Sequence, residues 1–208
     1  MRNLVIIGMP GAGKGTQSAF ICGHFGIPHI STGDMLRKAV SEGTPLGLKA
    51  AEFMNAGKFV PDETVLEIVA WRLSDKDCAN GFLLDGYPRN RAQAESLDGI
   101  LAERGLAIDR VIELRVAPEE VVRRLSSRKV CPKCSKIYSG DVDLCSCGER
   151  LIVRDDDREE VILERIRTYN EQTAVLVDYY SEKGLLLTLE SLGGETPEEV
   201  WKKLRGLL

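Results

Sequence analysis

The sequence predicts an α/β protein in which a parallel five-stranded sheet lies between layers of helices and carries two inserts. Two observations predict this fold. Short apolar segments rich in β-branched residues alternate with stretches of helical spacing through most of the 208 residues. Such alternation is typical of parallel sheets with right-handed helical crossovers. The pattern fails over residues 128–157, where cysteine, glycine and charged residues predominate.

The first strand, residues 4–7, leads into the turn GMPGAGKGT and then into a helical pattern. Closely spaced glycines let consecutive backbone N–H groups surround phosphate oxygens, while Lys14 and the helix N-terminus add positive charge. Gly8, Gly13 and Lys14 match G-x-x-x-x-G-K, although Gly15 stands where the strict pattern has Ser or Thr. A glycine-rich turn alone can simply let a strand turn tightly. Between a strand and a helix it favours a phosphate loop, and with it a three-layer fold like that of the P-loop NTPases.

The first insert is predicted over residues 31–60, directly after the second strand at residues 27–30. Ser31 or Thr32 is expected to cap its first helix, and another helix begins near Pro61, beyond the insert. The insert therefore has the pattern of a helical hairpin. Inserts at this position lie over the edge of the sheet at which ligands bind.

The remaining elements complete the core. Three more strands are predicted at residues 81–85, 110–116 and 185–189. Helices are predicted to about Arg104, from Pro118 to about Ser127, over about residues 157–183, and from near Thr196. The expected single domain, 1–208, divides into a core (1–30, 61–126 and 158–208), the helical insert (31–60) and a cysteine-rich insert (127–157).

Composition limits the classes of function. A net charge of −4 argues against general binding to nucleic acid or to an anionic membrane surface. No apolar run approaches the length of a membrane span or of a signal-peptide core, so the cytoplasm is the expected location. A zinc-bearing nucleic-acid module is disfavoured further, because the cysteine-rich segment is followed by three consecutive aspartates, residues 155–157.

Charged side chains indicate a polyphosphate site. Asp85 ends an apolar strand, where a carboxylate can hold Mg²⁺ or its waters; the alternative is a helix or turn cap. Arg124 and Arg128 are four apart and are expected on one helical face. Six arginines, spread over both inserts and the core, could converge on one polyphosphate: Arg37, Arg89, Arg124, Arg128, Arg154 and Arg165. The two histidines, His24 and His29, have no carboxylate neighbour in the sequence and are expected at the surface.

Four of the six cysteines lie within seventeen residues, as Cys131, Cys134, Cys145 and Cys147. A segment of about thirty residues cannot bury enough apolar surface to order itself, so a metal or disulfide is expected. A reducing cytoplasm disfavours the disulfide, and four thiolates suit structural Zn²⁺. Idle thiols remain an alternative. The one-residue gap in the second pair strains the usual geometry, and Asp143 is the next candidate ligand if Cys147 does not bind.

Four segments together, GMPGAGKGTQ, STGDMLR, GFLLDGYPRN and RDDDREEVILERI, resemble the successive signature blocks of adenylate kinases, and the resemblance covers the whole chain. It implies a monomer that converts ATP and AMP to two ADP with Mg²⁺. It also implies that the first insert binds AMP and that the cysteine-rich insert is a zinc-bearing lid. The near alternative is a kinase for another nucleoside monophosphate.

The resemblance also assigns roles to residues. The ATP side would be formed by Gly11, Ala12, Gly13, Lys14, Gly15, Thr16, Arg124, Arg128 and Arg154. The AMP side would be formed by Thr32, Arg37, Lys58, Phe59, Val60, Gly86, Tyr87, Pro88, Arg89, Gln93, Arg154 and Arg165. The catalytic set would be Lys14, Asp85, Arg89, Arg124, Arg128, Arg154 and Arg165. Gln93 would read the adenine edge, and Asp156 and Asp157 would lock the closed lid.

Departures from the family pattern lie beside the expected AMP pocket. Tyr87 stands where phenylalanine is common, and Asn90 and Arg91 replace small or apolar residues. They bear on the selectivity for the base more than on the chemistry.

Overall fold

The structure is a computed structural model that describes residues 2–134, 136–191 and 193–208. A parallel sheet at its centre has five strands, β1 (Arg2–Ile7), β2 (His29–Ser31), β3 (Gly81–Asp85), β4 (Arg110–Arg115) and β7 (Leu186–Glu190). Their order is β2-β3-β1-β4-β7, which confirms the fold expected from the sequence. The carboxyl ends of the central strands β1 and β3 therefore meet at one edge of the sheet.

The sheet is covered by helices on both faces, as a parallel sheet requires. Leu4, Val5, Leu83 and Leu84 have no more than a trace of exposed surface. Alternate residues of β1 point to opposite faces, so Val5 packs in one apolar cluster and Leu4 in the other. These continuous apolar strands fix the positions of the loops that follow them.

The helices are α1 (Lys14–Phe25), α2 (Thr32–Ser41), α3 (Pro45–Asn55), α4 (Asp62–Arg72), α5 (Arg91–Glu103), α6 (Pro118–Ser126), α7 (Glu159–Thr168), α8 (Val175–Glu182) and α9 (Pro197–Arg205). None of the helices described is both long and apolar enough to cross a membrane.

The first insert is a helical hairpin, as predicted, formed by α2 and α3. The Ser31 hydroxyl accepts from the Asp34 N–H at the start of α2, and Thr44 caps α3 through the Gly47 N–H. The two helices touch through backbone at Gly47, where a Cβ would lie 2.0 Å from the Ala39 carbonyl oxygen. This close approach leaves no room for a side chain at position 47.

The second insert contains a two-stranded antiparallel ribbon, β5 (Arg128–Val130) and β6 (Ile137–Ser139). Val130 also pairs with Ile152. Apart from the cysteines, Leu151 and Tyr138 provide its small apolar cluster. The insert depends on groups other than a core for its order.

Two expectations about helices need correction. The helix expected over about residues 157–183 is present, but it follows a 3₁₀ turn at Asp155–Asp157 and is divided into α7, a π turn at Tyr169–Thr173, and α8. The Ala174 N–H donates to the Tyr169 carbonyl, five residues back, and this wide turn adds one residue to the helix.

The second error concerns Arg124 and Arg128, which do not share a helical face. Helix α6 ends at Ser126, and after Ser127 the chain continues as β5. Arg128 therefore lies on the first strand of the second insert.

Candidate active site

A cavity of about 530 Å³ lies at the carboxyl ends of β1 and β3, between the two inserts. The turn after β1, both inserts, α6 and the π turn contribute to its wall. Among the described residues that line it, eight are Lys or Arg and four are Asp or Glu. This excess of positive charge in an enclosed space favours an anionic ligand.

The glycine-rich turn after β1 has the backbone geometry expected of a phosphate loop. Gly8 has φ +146°, and a Cβ there would lie 2.5 Å from the Leu114 carbonyl oxygen. Gly13, with φ +98°, directly precedes the first residue of α1. These positions need glycine, and their conformation lets the turn present N–H groups at a helix N-terminus.

Lys14 folds back over this loop and donates to the carbonyls of Gly8 (2.7 Å) and Met9 (2.9 Å). Burial in the cavity lowers the pKa of Lys14 to about 8; Asp85 opposes this shift, and Arg165 and Arg89 add to it. A negatively charged ligand in the cavity would reverse part of that shift.

Asp85 lies at the end of β3 with 8% of its surface exposed, and it lines the cavity. His29 Nε2 lies 3.2 Å from Asp85 Oδ2, so the expectation that His29 is a surface residue without a carboxylate neighbour is wrong. Adjacent strands explain the pair: His29 is opposite Leu83, and residues two apart on a strand point to the same face. Exposed His24 fits the expectation.

Arg128 and Arg165 share one buried carboxylate. Arg128 binds Asp157 in a bidentate pair at 2.7 and 2.5 Å, and Arg165 Nη1 lies 3.4 Å from the same carboxylate. Arg165 also donates to the Asp156 carbonyl (2.9 Å) and lies 3.2 Å from its carboxylate. The turn Asp155–Asp157 thus fastens the second insert to helix α7.

Arg37 and Arg154 meet across the gap between the two inserts. Asp34 contacts Arg37 at 2.5 Å and Arg154 at 3.8 Å, and Arg37 lies 3.9 Å from Asp156. Burial, Arg37 and Arg128 lower the pKa of Arg154 to about 10. The Arg154 Nε atom is buried and has no hydrogen-bond partner among the described residues. An unpaired buried donor beside other cations indicates a place for an anion.

Arg89 projects into the cavity from the turn after β3. Its Nε donates to the Gly86 carbonyl (2.7 Å), and its guanidinium carbon lies 4.7 Å from the centre of the Phe59 ring. Burial, Arg165 and Arg37 lower the pKa of Arg89 to about 10. Neither terminal nitrogen of Arg89 donates to another described residue, so both are available to a ligand.

Arg124 reaches the phosphate loop from α6, where Nη1 lies 3.4 Å from the Ala12 carbonyl. Glu120 holds its Nε at 2.7 Å and also binds Arg123. Arg123 and then Arg124 lower the pKa of Glu120 to about 2. Sequence reasoning did not find Glu120; its position four residues before Arg124 on a helix is the signal that could have indicated it.

Most of the expected site residues line the cavity together. The ones that do are Gly11, Ala12, Gly13, Lys14, Gly15, Thr16, Arg37, Phe59, Asp85, Gly86, Pro88, Arg89, Arg124, Arg128, Arg154 and Arg165. The ones outside its lining are Thr32, Lys58, Val60, Tyr87 and Gln93. Thr32 and Tyr87 are buried behind the wall, where they donate to the carbonyls of Gly86 (2.8 Å) and Gln93 (3.2 Å). Lys58 is exposed, and Val60 is part of the core.

Gln93 belongs to a network that sequence reasoning did not find. Its amide oxygen accepts from the Arg89 N–H (2.7 Å), and its amide nitrogen donates to Asp62 (2.6 Å). The other Asp62 oxygen accepts from the Asn90 side chain (2.9 Å), and Asn90 caps α5 by accepting from the Gln93 N–H (2.8 Å). A backbone N–H only donates and a carboxylate only accepts, so this network fixes which end of the amide is oxygen.

The four clustered cysteines come together in the second insert, with their sulfur atoms all within 4.8 Å of one another. The Cys131–Cys147 and Cys134–Cys145 sulfurs are 3.6 and 3.4 Å apart. These separations exceed a disulfide bond and approach the roughly 3.8 Å expected between thiolates on a tetrahedral Zn²⁺. The donor set therefore fits zinc, and the one-residue gap before Cys147 does not prevent the cluster.

The fold and the cavity define a class of protein: a P-loop nucleotide phosphotransferase with two inserts over its phosphate loop. Comparison with known proteins makes the class specific. A family model described as adenylate kinase matches residues 6–185. The chain is 47% identical to an adenylate kinase of Archaeoglobus fulgidus, covering 99% of this chain and 97% of that protein.

Two other relatives are equally similar. The adenylate kinase of Kosmotoga olearia is 48% identical, over 99% of this chain and all of that protein. The adenylate kinase of Caldicellulosiruptor saccharolyticus is 47% identical over 97% of this chain and 98% of its own length. The chain belongs to the adenylate kinase family and is a phosphotransferase.

Proposed function

We propose that the protein catalyses reversible, Mg²⁺-dependent transfer of a phosphoryl group between ATP and AMP, giving two ADP. The observation that carries this proposal is the convergence of seven arginines, among them the six expected from the sequence, on the cavity of one phosphate loop. Two nucleotides in phosphoryl transfer bring several negative charges together, and positioning with charge neutralisation is most of the catalysis. The names of the relatives agree with this reaction.

The ATP side is assigned to the turn Gly11–Thr16 with Lys14, Arg124, Arg128 and Arg154. Lys14 would exchange its two carbonyl partners for phosphate oxygens, and the loop N–H groups would bind the same phosphates. The unpaired Nε of Arg154 supports a role for this arginine at the transferred group.

The AMP side is assigned to the first insert and to the turn after β3. Arg37, Arg89 and Arg165 would bind the AMP phosphate, and Thr32, Lys58, Phe59, Val60, Gly86, Tyr87, Pro88 and Gln93 would form the surrounding wall. Gly86 supports this because a Cβ there would lie 3.0 Å from the Thr32 hydroxyl and 3.2 Å from an Arg89 terminal nitrogen. A larger residue would displace Arg89.

Mg²⁺ with ATP is the family's cofactor, and Asp85 fits its site. Asp85 is a buried carboxylate at the cavity wall near Lys14, and carboxylate oxygen is a ligand type that Mg²⁺ and its waters prefer. When bound, the ion neutralises charge on the phosphate oxygens. Asp85 would hold its waters, while His29 keeps the carboxylate in one orientation.

The two inserts would close over the substrates, since water could otherwise accept the phosphoryl group. The contacts of Arg154 with Asp34 and of Arg37 with Asp156 support a closed arrangement. Zn²⁺ bound by Cys131, Cys134, Cys145 and Cys147 would hold the lid in shape, with no open position for chemistry. The protein would act on ATP, AMP and ADP in the cytoplasm, with neither nucleic acid nor a membrane as partner. A monomer would suffice, because one chain supplies the arginines of the cavity.

The test is direct. The protein is incubated with ATP, Mg²⁺ and each of AMP, GMP, CMP and UMP, and nucleoside diphosphate is measured. Turnover with AMP far above the others is the expected result. Preference for another monophosphate would assign a different substrate to the same machinery, and no transfer to any of them would refute the proposal.

A further inference from the structure

The π turn at Tyr169–Thr173 interrupts the helix that follows the second insert, and both of its end residues line the cavity. A π turn is a less stable arrangement than a continued α-helix, and such turns are frequent at functional sites. The extra residue changes the direction in which Thr173 points relative to α7. The contacts of Thr173 therefore differ from those of a threonine in a regular helix.

Thr173 is 5% exposed, and its hydroxyl donates to the Arg89 carbonyl at 2.7 Å, a contact between residues 84 apart in the chain. The nearby Thr168 is equally buried, and its hydroxyl donates to the Glu164 carbonyl four residues back at 2.8 Å, as a helical threonine usually does. The same hydroxyl lies 3.4 Å from the Gly57 carbonyl, a weaker contact that does not involve Arg89. In the π turn, the Thr173 hydroxyl thus donates to the turn that carries Arg89 and not to a carbonyl of its own helix.

Arg89 lies in a turn with no regular secondary structure, between β3 and α5. Both polar groups of its backbone are held by side chains, the N–H by Gln93 and the carbonyl by Thr173, each at 2.7 Å. Its side chain is then guided by the Gly86 carbonyl and the Phe59 ring, which leaves the two terminal nitrogens facing the cavity.

We propose that Thr173 is a positioning residue for phosphoryl transfer, which acts by fixing the backbone of Arg89 from the π turn. The inference rests on the proposed function, in which Arg89 binds the AMP phosphate that accepts the phosphoryl group. A misplacement of about 1 Å at such a group can lower turnover by a factor of about 100. Without the hydroxyl the Arg89 carbonyl is left unsatisfied in a buried site and the turn can shift.

Three variants test the proposal. Thr173→Val keeps the shape and removes the hydroxyl, Thr173→Ser keeps the hydroxyl, and Thr168→Val removes the matched hydroxyl that does not touch Arg89. We expect Thr173→Val to lower kcat by about ten-fold or more, with a smaller change in KM for AMP. Thr173→Ser should restore most of kcat, and Thr168→Val should keep kcat while both valine variants lose similar thermal stability.

A kcat of Thr173→Val within two-fold of the parent would overturn the proposal, as would an equal loss of kcat in Thr173→Ser. Equal losses in Thr173→Val and Thr168→Val would show that helix stability, and no contact with Arg89, is the cause. The Nε–H signal of Arg89 in NMR spectra with bound AMP gives a second measurement. It should broaden in Thr173→Val alone; an unchanged signal in that variant also overturns the proposal. Failure of the proposed function itself differs from these outcomes, because the parent would then transfer no phosphoryl group to AMP.

Discussion

Some charged side chains in the cavity would be more stable beside a negatively charged ligand than they are in the protein alone. Lys14 is the clearest example, because burial lowers its pKa to about 8 while its only described hydrogen-bond partners are two carbonyls of its own loop. Below a pH of about 8, Lys14 is charged in both the folded and the unfolded protein, and its charge is more stable in the unfolded chain, where water solvates it. The cost to stability is therefore present at pH 7 and fades as the pH rises from about 8 toward 10.5.

Replacement of this lysine should separate activity from stability. In Lys14→Met we expect turnover to fall by several orders of magnitude, because the variant lacks the positive charge that would stabilise the transferred phosphoryl group. The nucleotide-free variant should melt at a higher temperature than the parent at pH 7, with the gain smaller at pH 10. Melting curves at both pH values, together with turnover, check this. A variant that melts lower than the parent at pH 7 contradicts the argument from burial.

The family resemblance implies that Gln93 reads the adenine edge, and in that case Asp62, which binds the Gln93 amide, should control the selectivity for the base. The network leaves the Gln93 amide one N–H and one lone pair in a fixed orientation. Adenine and hypoxanthine present opposite donor and acceptor patterns along the same edge, so a fixed amide suits only one of them. We expect Asp62→Ala to lower the ratio of kcat/KM for AMP over IMP by about ten-fold. Glu63→Ala, at the next position of α4, is the control, and an unchanged ratio in Asp62→Ala would contradict the role of the network.

The sequence predicted single residues well where chemistry follows from local pattern, and poorly where it follows from packing. The glycines of the phosphate loop, Lys14 and Asp85 were predicted because their spacing and strand-end positions are local signals. The partners of the charged groups were not. His29 meets Asp85 only through strand register, and Asp62 meets Gln93 across 31 residues. Such contacts depend on the tertiary arrangement, which periodicity does not contain.

The same contrast between predicted and unpredicted features holds for the strands and helices. Strand positions came out within two residues because buried parallel strands are continuous apolar runs. The π turn at Tyr169–Thr173 was not predicted, because it lies within a pattern that looks helical in the sequence. The end of α6 was predicted within one residue, at about Ser127, but Arg128 was still expected on a face of that helix.

The hairpin of the first insert includes one close backbone contact, at Gly47. Gly47→Ala would place a Cβ 2.0 Å from the Ala39 carbonyl oxygen, so α2 and α3 would have to separate. We expect a loss of about 2 kcal/mol or more in the free energy of unfolding. Gly99→Ala in α5 is the control, since nothing lies within 4 Å there, and it should gain about 1 kcal/mol. Chemical denaturation measures both; equal effects of the two changes would contradict the packing argument.

The second insert should depend on a bound metal ion for its stability. One Zn²⁺ per chain is expected by elemental analysis, and chelation or Cys134→Ser should lower the melting temperature markedly while sparing much of the turnover at low temperature. Cys22→Ser, outside the cluster, is the control and should retain the zinc. Zinc retention by Cys147→Ser as tight as in the parent would identify another fourth ligand. Asp143 is then the candidate, although it now pairs with Lys129 at 2.8 Å. Much less than one zinc per chain would refute the site.

At the scale of the whole molecule, the positive charge that serves the nucleotides also opposes closure without them. Arg37 and Arg128 contribute to the lowered pKa of Arg154, and Arg165 and Arg37 to that of Arg89, so these cations repel one another when the inserts meet. The facing carboxylates offset this only in part, because Arg154 and Arg37 reach Asp34 and Asp156 at 3.8 and 3.9 Å. A polyphosphate supplies the missing negative charge.

Solution scattering should therefore show a free protein that is more expanded than this structure. A mimic that joins two adenosines through a polyphosphate should compact it to the dimensions of the structure, since its phosphates neutralise the arginines of both inserts at once. Adenosine alone fills base sites without charge and is expected to leave the profile unchanged. If the free protein already has the compact profile, or if adenosine compacts it as much as the mimic does, repulsion between the arginines does not control closure.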